Sequence, residues 1–249
     1  MIDTFMRSPI PNTLAVIVLL ALVISWLVSI LSAMKDVPVQ TETGPFAWLL
    51  PIFSVLGLPA ALDLLQTKGM TFSFAAVVFI VFLLNIVIPV LKISGRVSNI
   101  SGADWYKWSV PLTVLGGLTV AGYLTFVEAT GTPVVCGPSS HGCVDVQNSR
   151  YAILFGVLPI GVLGLAGYLG ILGSWLVGQF GPRSMQRMAA LAQWGMCVFG
   201  VLFSAYLTFL EPFVIGATCM WCICSAVLMI ILLLVTTPPA QQALAGTPE

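Results

Sequence analysis

Four of the six cysteines stand in two pairs whose spacing suits thiol–disulfide chemistry, Cys136 with Cys143 and Cys219 with Cys222. The second pair lies in Thr218-Cys219-Met220-Trp221-Cys222, which opens an apolar block. An i to i+3 spacing there puts both thiols on one helical face, near enough to form a disulfide. A helix N-terminus also presents unpaired N–H groups and a positive dipole end, which favour a thiolate. A Cys-x-x-Cys so placed is a redox device or half a metal site; two buried packing cysteines are the plain alternative. The first pair lies in Cys136-Gly137-Pro138-Ser139-Ser140-His141-Gly142-Cys143. Gly and Pro at turn positions make this a loop whose thiols can meet across a bend. Alone it reads as a static staple; two pairs together can pass electrons by thiol–disulfide exchange. Cysteines with His141 also permit a four-ligand zinc site, though His141 by itself reads as a solvated loop residue. Cys197 and Cys224 read as packing residues.

An internal repeat leads into both pairs. Residues 123–128 are Tyr-Leu-Thr-Phe-Val-Glu and residues 206–211 are Tyr-Leu-Thr-Phe-Leu-Glu, and a cysteine follows each Glu by eight residues. Both copies end a helix, so the repeat delivers both pairs to one face. Glu128 and Glu211 read as helix-end carboxylates reaching water or headgroups, with a proton relay as the sharper alternative. Trp105, Trp108, Tyr151 and Trp221 read as interfacial anchors. Trp221, between two thiols, can also wall a flat ligand site.

The elements that position these residues are membrane helices. The chain is 59% hydrophobic and 7% charged, with a mean hydropathy of +1.06. A soluble domain carries roughly a quarter charged residues. Net charge is zero and no like-charge run exists, which argues against nucleic acid and leaves membrane lipid as the surroundings. Apolar blocks of about 20 residues cross a hydrocarbon core as helices. The blocks fall near 13–34, 72–92, 110–130, 152–177, 188–211 and 217–236, with 237–249 as a short tail. Phe46–Leu65 is also apolar but holds Pro51, Gly57 and Pro59, so it is a seventh span or an interfacial segment. Lys92, Arg96 and Lys107 flank one connection, and Arg183 and Arg187 another. Placing these in the cytoplasm leaves the cysteine pairs on the outer face. If Phe46–Leu65 crosses, Arg7 is outside with the cysteines and Lys35 is inside; otherwise they swap. The free N-terminal amine leans to the six-span version. A polar stretch near 95–108 divides residues 1–100, which lack thiols, from the half that carries chemistry.

The second half resembles the vitamin K epoxide reductase family, in particular its bacterial members, from about Trp108 to Val235. The resemblance rests on Cys136, Gly142-Cys143, Val146, Ser149, Tyr151-Ala152, Gly156, Pro159, Tyr206-Leu207, Glu211, Cys219-Met220-Trp221-Cys222 and Ser225-Ala226. It implies an all-α integral membrane protein: a four-helix bundle over 108–236, with two or three extra N-terminal transmembrane helices over 1–100. It further implies a thiol oxidoreductase of a bacterial inner (cytoplasmic) membrane. Cys143 would take electrons from a reduced periplasmic thioredoxin-like protein, and Cys136 would attack Cys219. Cys222 would pass electrons to a membrane quinone of the menaquinone, ubiquinone or phylloquinone type, with Ser149 hydrogen-bonding a quinone oxygen. Many bacterial relatives carry a fused thioredoxin-like domain after the last span; the short tail here makes that partner a separate protein. A different reading is an accessory subunit within a larger respiratory or photosynthetic membrane complex, which the N-terminal spans favour. A transporter is the weakest reading, because no span carries a paired-charge site at its middle.

Overall fold

A backbone in lipid must satisfy its own hydrogen bonds, and the apolar blocks do so as helices. The computed structural model describes residues 2–34, 45–93, 102–138, 142–154 and 157–245. In chain order these form α1 (Ile2–Phe5), α2 (Pro9–Met34), α3 (Pro45–Leu64), α4 (Met70–Ile93), α5 (Gly102–Thr130), α6 (Gly142–Gln147), α7 (Ile160–Phe180), α8 (Arg183–Leu210) and α9 (Met220–Ala245). Between α6 and α7, β1 (Ile153–Leu154) pairs antiparallel with β2 (Leu158–Pro159). A π-helical turn, Glu211–Ile215, prolongs α8. Among the described residues, α2, α4, α5, α7, α8 and α9 are long and apolar enough to cross a membrane.

The helix carrying the Cys-x-x-Cys is the centre of the bundle. In its most apolar stretch α9 is 89% buried, against 17% for α7. Helices α2, α3, α5 and α8 all pack on α9. The thiol-free N-terminal half therefore sheathes the helix that holds the inner cysteines. Helix α2 turns Ala15, Val18, Leu22, Ser25 and Ser29 inward, and leaves Leu20, Ile24, Leu27 and Leu31 outward. Apolar surface gains little by leaving lipid, so polar contacts help hold such helices together, at about 0.6 kcal/mol each. Here Ser29 Oγ bonds Thr237 Oγ1 at 2.8 Å, Trp194 Nε1 donates to Ser29 Oγ at 2.9 Å, and Gln241 Nε2 donates to Ser32 O at 2.5 Å. Gly117 seats the Tyr168 ring between α5 and α7, and Gly57 seats Phe82 between α3 and α4.

The path of the N-terminal half follows from its ends. Arg7 lies against Gly216, close before Cys219, while Ser32 near the end of α2 meets the last turn of α9. Helix α3 then ends with Asp63 against Gly137 in the cysteine loop. The segment Phe46–Leu65 is thus a helix that returns to the cysteine face despite Pro51 and Pro59. Arg7 therefore lies at the same end of the bundle as the cysteine pairs.

Two element bounds also differ from the sequence reading. Residues 152–159 do not open α7. Ile160 N donates to Ala152 O at 3.1 Å, closing a hairpin, and Pro159 stays extended at the helix entrance. The residue before a proline is biased away from helix, and here Leu158 is extended in β2, so the helix begins only at Ile160. Conversely α9 continues to Ala245 through Pro238 and Pro239. Thr236 and Thr237 donate back to the carbonyls of Leu232 and Leu233, the kind of local hydroxyl support that lets membrane helices tolerate proline.

Candidate functional site

The inner pair is set by a backbone device after the second repeat. Helix α8 runs into the π turn, and Gly216 adopts φ 79°, ψ 20°, a left-handed conformation that glycine takes without steric cost. Gly216 N and Ala217 N both donate to Glu211 O, at 2.7 and 3.1 Å. This folds the chain back so that Cys219 N donates to Glu211 Oε2 at 3.2 Å. Cys219 precedes α9 rather than lying within it; its carbonyl accepts the first helical bond, from Ile223 N at 3.0 Å. Cys219 and Cys222 are free thiols, the first fully buried and the second half-buried. The Cys222 thiol hydrogen-bonds the Cys219 sulfur and holds Cys219 below the usual thiol range, against the opposing effect of its burial.

The outer pair is clamped onto this helix start. Cys136 and Cys143 are joined in a disulfide with a Cα–Cα separation of 6.2 Å. Two grips hold Val135, the residue before Cys136. Its N–H donates to Tyr123 Oη at 2.9 Å, and its carbonyl accepts from Trp221 Nε1 at 3.0 Å. Tyr123 and Trp221 also pack on each other, with ring centroids 4.6 Å apart. A third contact is direct: the backbone of Gly142, before Cys143, lies against the backbone of Thr218, before Cys219. An added Cβ at Gly142 would come within 2.6 Å of Thr218 O. Both pairs thus meet at one place.

Cys222 links this place to the bundle interior. A cavity of about 470 Å³ lies between α5, α7, α8 and α9, with Cys222 in its wall. It is walled mainly by apolar side chains, with the hydroxyls of Tyr168, Ser204, Thr208 and Ser225 as its few polar groups. Tyr168 is bonded to Ser225 Oγ at 3.0 Å. This size and lining suit a small apolar ligand with polar tips. A second cavity of about 40 Å³, toward the cysteine face, is walled by Glu128, Ser149, Tyr151, Glu211 and again Cys222.

A family model described as "Vitamin K epoxide reductase family" matches residues 108–237, just over half of the chain. The chain belongs to the vitamin K epoxide reductase family. Among curated proteins it is similar to Thiol-disulfide oxidoreductase LTO1 of Arabidopsis thaliana, 31% identical over 112 residues. That match covers 43% of this chain and 29% of the relative, so the chain spans under a third of the relative's length. No solved structure gives a significant match.

Within this vitamin K epoxide reductase family chain, the predicted site residues are not all gathered at one cavity. Cys222 and Ser149 line the small cavity; Ser149 Oγ donates to Val146 O at 2.7 Å and retains accepting lone pairs. Trp221 is fully buried and outside the linings of these two cavities, and its indole clamps the cysteine loop by donating to Val135 O. Trp108, by contrast, is 72% exposed. Cys197 is buried and has a partner the sequence did not reveal, the Thr236 hydroxyl. His141, and with it the His-containing zinc site, lies outside the described residues. Glu211 is not a carboxylate reaching water: it is 2% exposed, and its partners are the inner cysteines. Glu128 is half-buried, and its Oε1 accepts from Gln147 Nε2 at 2.9 Å and Gly161 N at 3.4 Å. The sequence signal for both was the repeat itself.

Proposed function

We propose that this protein is a membrane thiol:quinone oxidoreductase that oxidises a thioredoxin-like protein and passes the electrons through two cysteine pairs to a membrane quinone. One observation carries this reading. Cys222 stands at the head of a large apolar cavity, one helical turn from Cys219, and the outer disulfide is held directly over that turn. The cavity suits a quinone: apolar walls for a ring and tail, and sparse hydroxyls from Tyr168, Ser225 and Thr208 for its oxygens. Ser149 is the further hydroxyl near Cys222, in the smaller cavity. A quinone bound there supplies a two-electron, two-proton acceptor.

The chain's own thiols divide the work by position. A dithiol partner attacks the Cys136–Cys143 disulfide, whose Cys136 is half-buried and whose Cys143 is fully buried, is itself oxidised, and leaves both loop cysteines reduced. Cys136 then attacks Cys219 of an oxidised inner pair, displacing Cys222 as a thiolate. Cys143 attacks Cys136, which restores the outer disulfide and releases Cys219. A thiol held below its usual range is the better leaving group, which suits Cys219 to that last step. The result is an oxidised partner and a reduced inner pair facing the cavity.

The connections of the fold support placing the cysteines on the outer face of a cytoplasmic membrane. Among the described residues, Lys92, Lys107, Arg183 and Arg187 belong to helix ends opposite the cysteines. Arg7, Lys68 and Arg150 belong to the cysteine face. That asymmetry follows the enrichment of Lys and Arg on the cytoplasmic side. The test is reduction of a short-chain benzoquinone by a reduced thioredoxin-like protein. Cys219→Ala and Cys222→Ala each abolish it, and unchanged turnover in either variant sinks the reading.

A further inference from the structure

Glu211 is 98% buried at the cysteine end of α8, in a helix that crosses lipid. Its Oε2 accepts from Cys219 N at 3.2 Å, and its carboxyl stands beside the Cys222 thiol in the wall of one small cavity. It therefore touches both members of the inner pair. It also walls the cavity of about 40 Å³ that Cys222 shares, which has room for a water. An ionisable group in a membrane interior is costly and is a functional-site candidate for that reason. Capping the start of α9 does not require one, since an amide or a hydroxyl would accept from Cys219 N equally well. The other repeat copy gives a control within the molecule. Glu128 faces the same small cavity, but its partners are Gln147 and Gly161, not a thiol.

We propose that Glu211 is a catalytic residue that exchanges a proton with Cys222 whenever the inner pair changes redox state. This rests on the thiol oxidoreductase reading above. When the Cys219–Cys222 bond forms, the two thiols lose two electrons and two protons, and a quinone gaining both becomes the quinol. The proton on Cys222 breaks from sulfur onto a Glu211 oxygen, leaving a neutral carboxylic acid that holds it until a quinone in the cavity lined by Cys222 accepts it. The Cys219 proton leaves separately, so both thiol protons end on the quinol oxygens. In the reverse sense, a protonated Glu211 returns a proton to the Cys222 thiolate displaced by Cys136.

Glu211→Gln keeps an acceptor for Cys219 N but cannot take a proton. The full chain, purified free of quinone, is compared by infrared difference spectroscopy with its inner pair oxidised by diamide and then reduced. The wild type is expected to show a carboxylic-acid carbonyl band that changes with redox state, and Glu211→Gln to lack it. Oxidation of the inner pair by a short-chain benzoquinone is expected to slow at least ~100-fold in Glu211→Gln, the scale of a lost acid–base group. If that variant fails to fold, Glu211→Asp takes its place, with a displaced band and a partial rate expected. No such band in the wild type, the same band in Glu211→Gln, or a wild-type rate in Glu211→Gln overturns the proposal. A wild type that shows the Glu211 band but does not reduce the benzoquinone overturns the quinone reading and supports the role of Glu211.

Discussion

The two copies of Tyr-Leu-Thr-Phe-x-Glu begin alike and end differently. Each brings a helix to the cysteine face and is followed at the same distance by a thiol. After Glu128, the chain leaves α5 through Gly131 at φ 64° and runs without regular structure to Cys136. After Glu211, the π turn and Gly216 fold the chain back onto the carboxylate. In the first copy the Glu holds a neighbouring helix start, at Gly161, and the cysteine stands free of it. In the second the Glu holds the cysteine itself. The tyrosines diverge too: Tyr123 is buried against Trp221, whereas Tyr206 is 52% exposed. One hexapeptide can thus deliver a thiol for meeting protein partners or one held in the bundle, and the connecting backbone decides which.

That contrast can be broken most severely where the two copies touch. Gly142→Val drives a side chain into the Thr218 backbone and separates the outer pair from the inner one. Exchange between the pairs is expected to slow about 100-fold, the scale of a misplacement near 1 Å. Rapid acid quenching followed by thiol counting measures it.

A smaller effect separates the thiols by pH. The hydrogen bond from Cys222 lowers the range in which Cys219 titrates, so its thiolate persists as pH falls below the ordinary thiol value. Cys222→Ala removes that donor, and the Cys219 thiolate is then lost at a higher pH. Alkylation of Cys219 near pH 7, followed by mass spectrometry, is expected to be slower in the variant and to recover as pH rises. An identical profile would place the cause elsewhere.

The smallest effect concerns the tyrosines. Tyr123→Phe strands the N–H of Val135 and is expected to cost about 1 kcal/mol. Tyr206→Phe, at an exposed position, is expected to stay within about 0.5 kcal/mol. Thermal melts in one detergent compare them.

Much of this was legible in the residues. The Cys pairs, the repeat and the apolar blocks carried the fold class and the shared membrane face, because period and composition are local properties. What was missed depends on backbone paths. The last block read as ending at 236, yet α9 continues through Pro238 and Pro239 to Ala245, with threonine hydroxyls bonding back to its carbonyls. Ile153–Leu158 read as part of a span, yet Pro159 turns it into a hairpin. Pro51 and Pro59 left α3 ambiguous until its end was seen against Gly137. The burial of Glu211 depends on a turn that composition does not encode.

The central claim is that electrons cross from the outer pair to the inner one, and one trapping measurement tests it most directly. A Cys143→Ala, Cys222→Ala double variant keeps Cys136 and Cys219 and removes the thiols that would resolve a bond between them. After mild oxidation, peptide mapping by mass spectrometry is predicted to find a Cys136–Cys219 disulfide as the main cross-link. Cys136 and Cys219 both remaining free under those conditions would contradict the account.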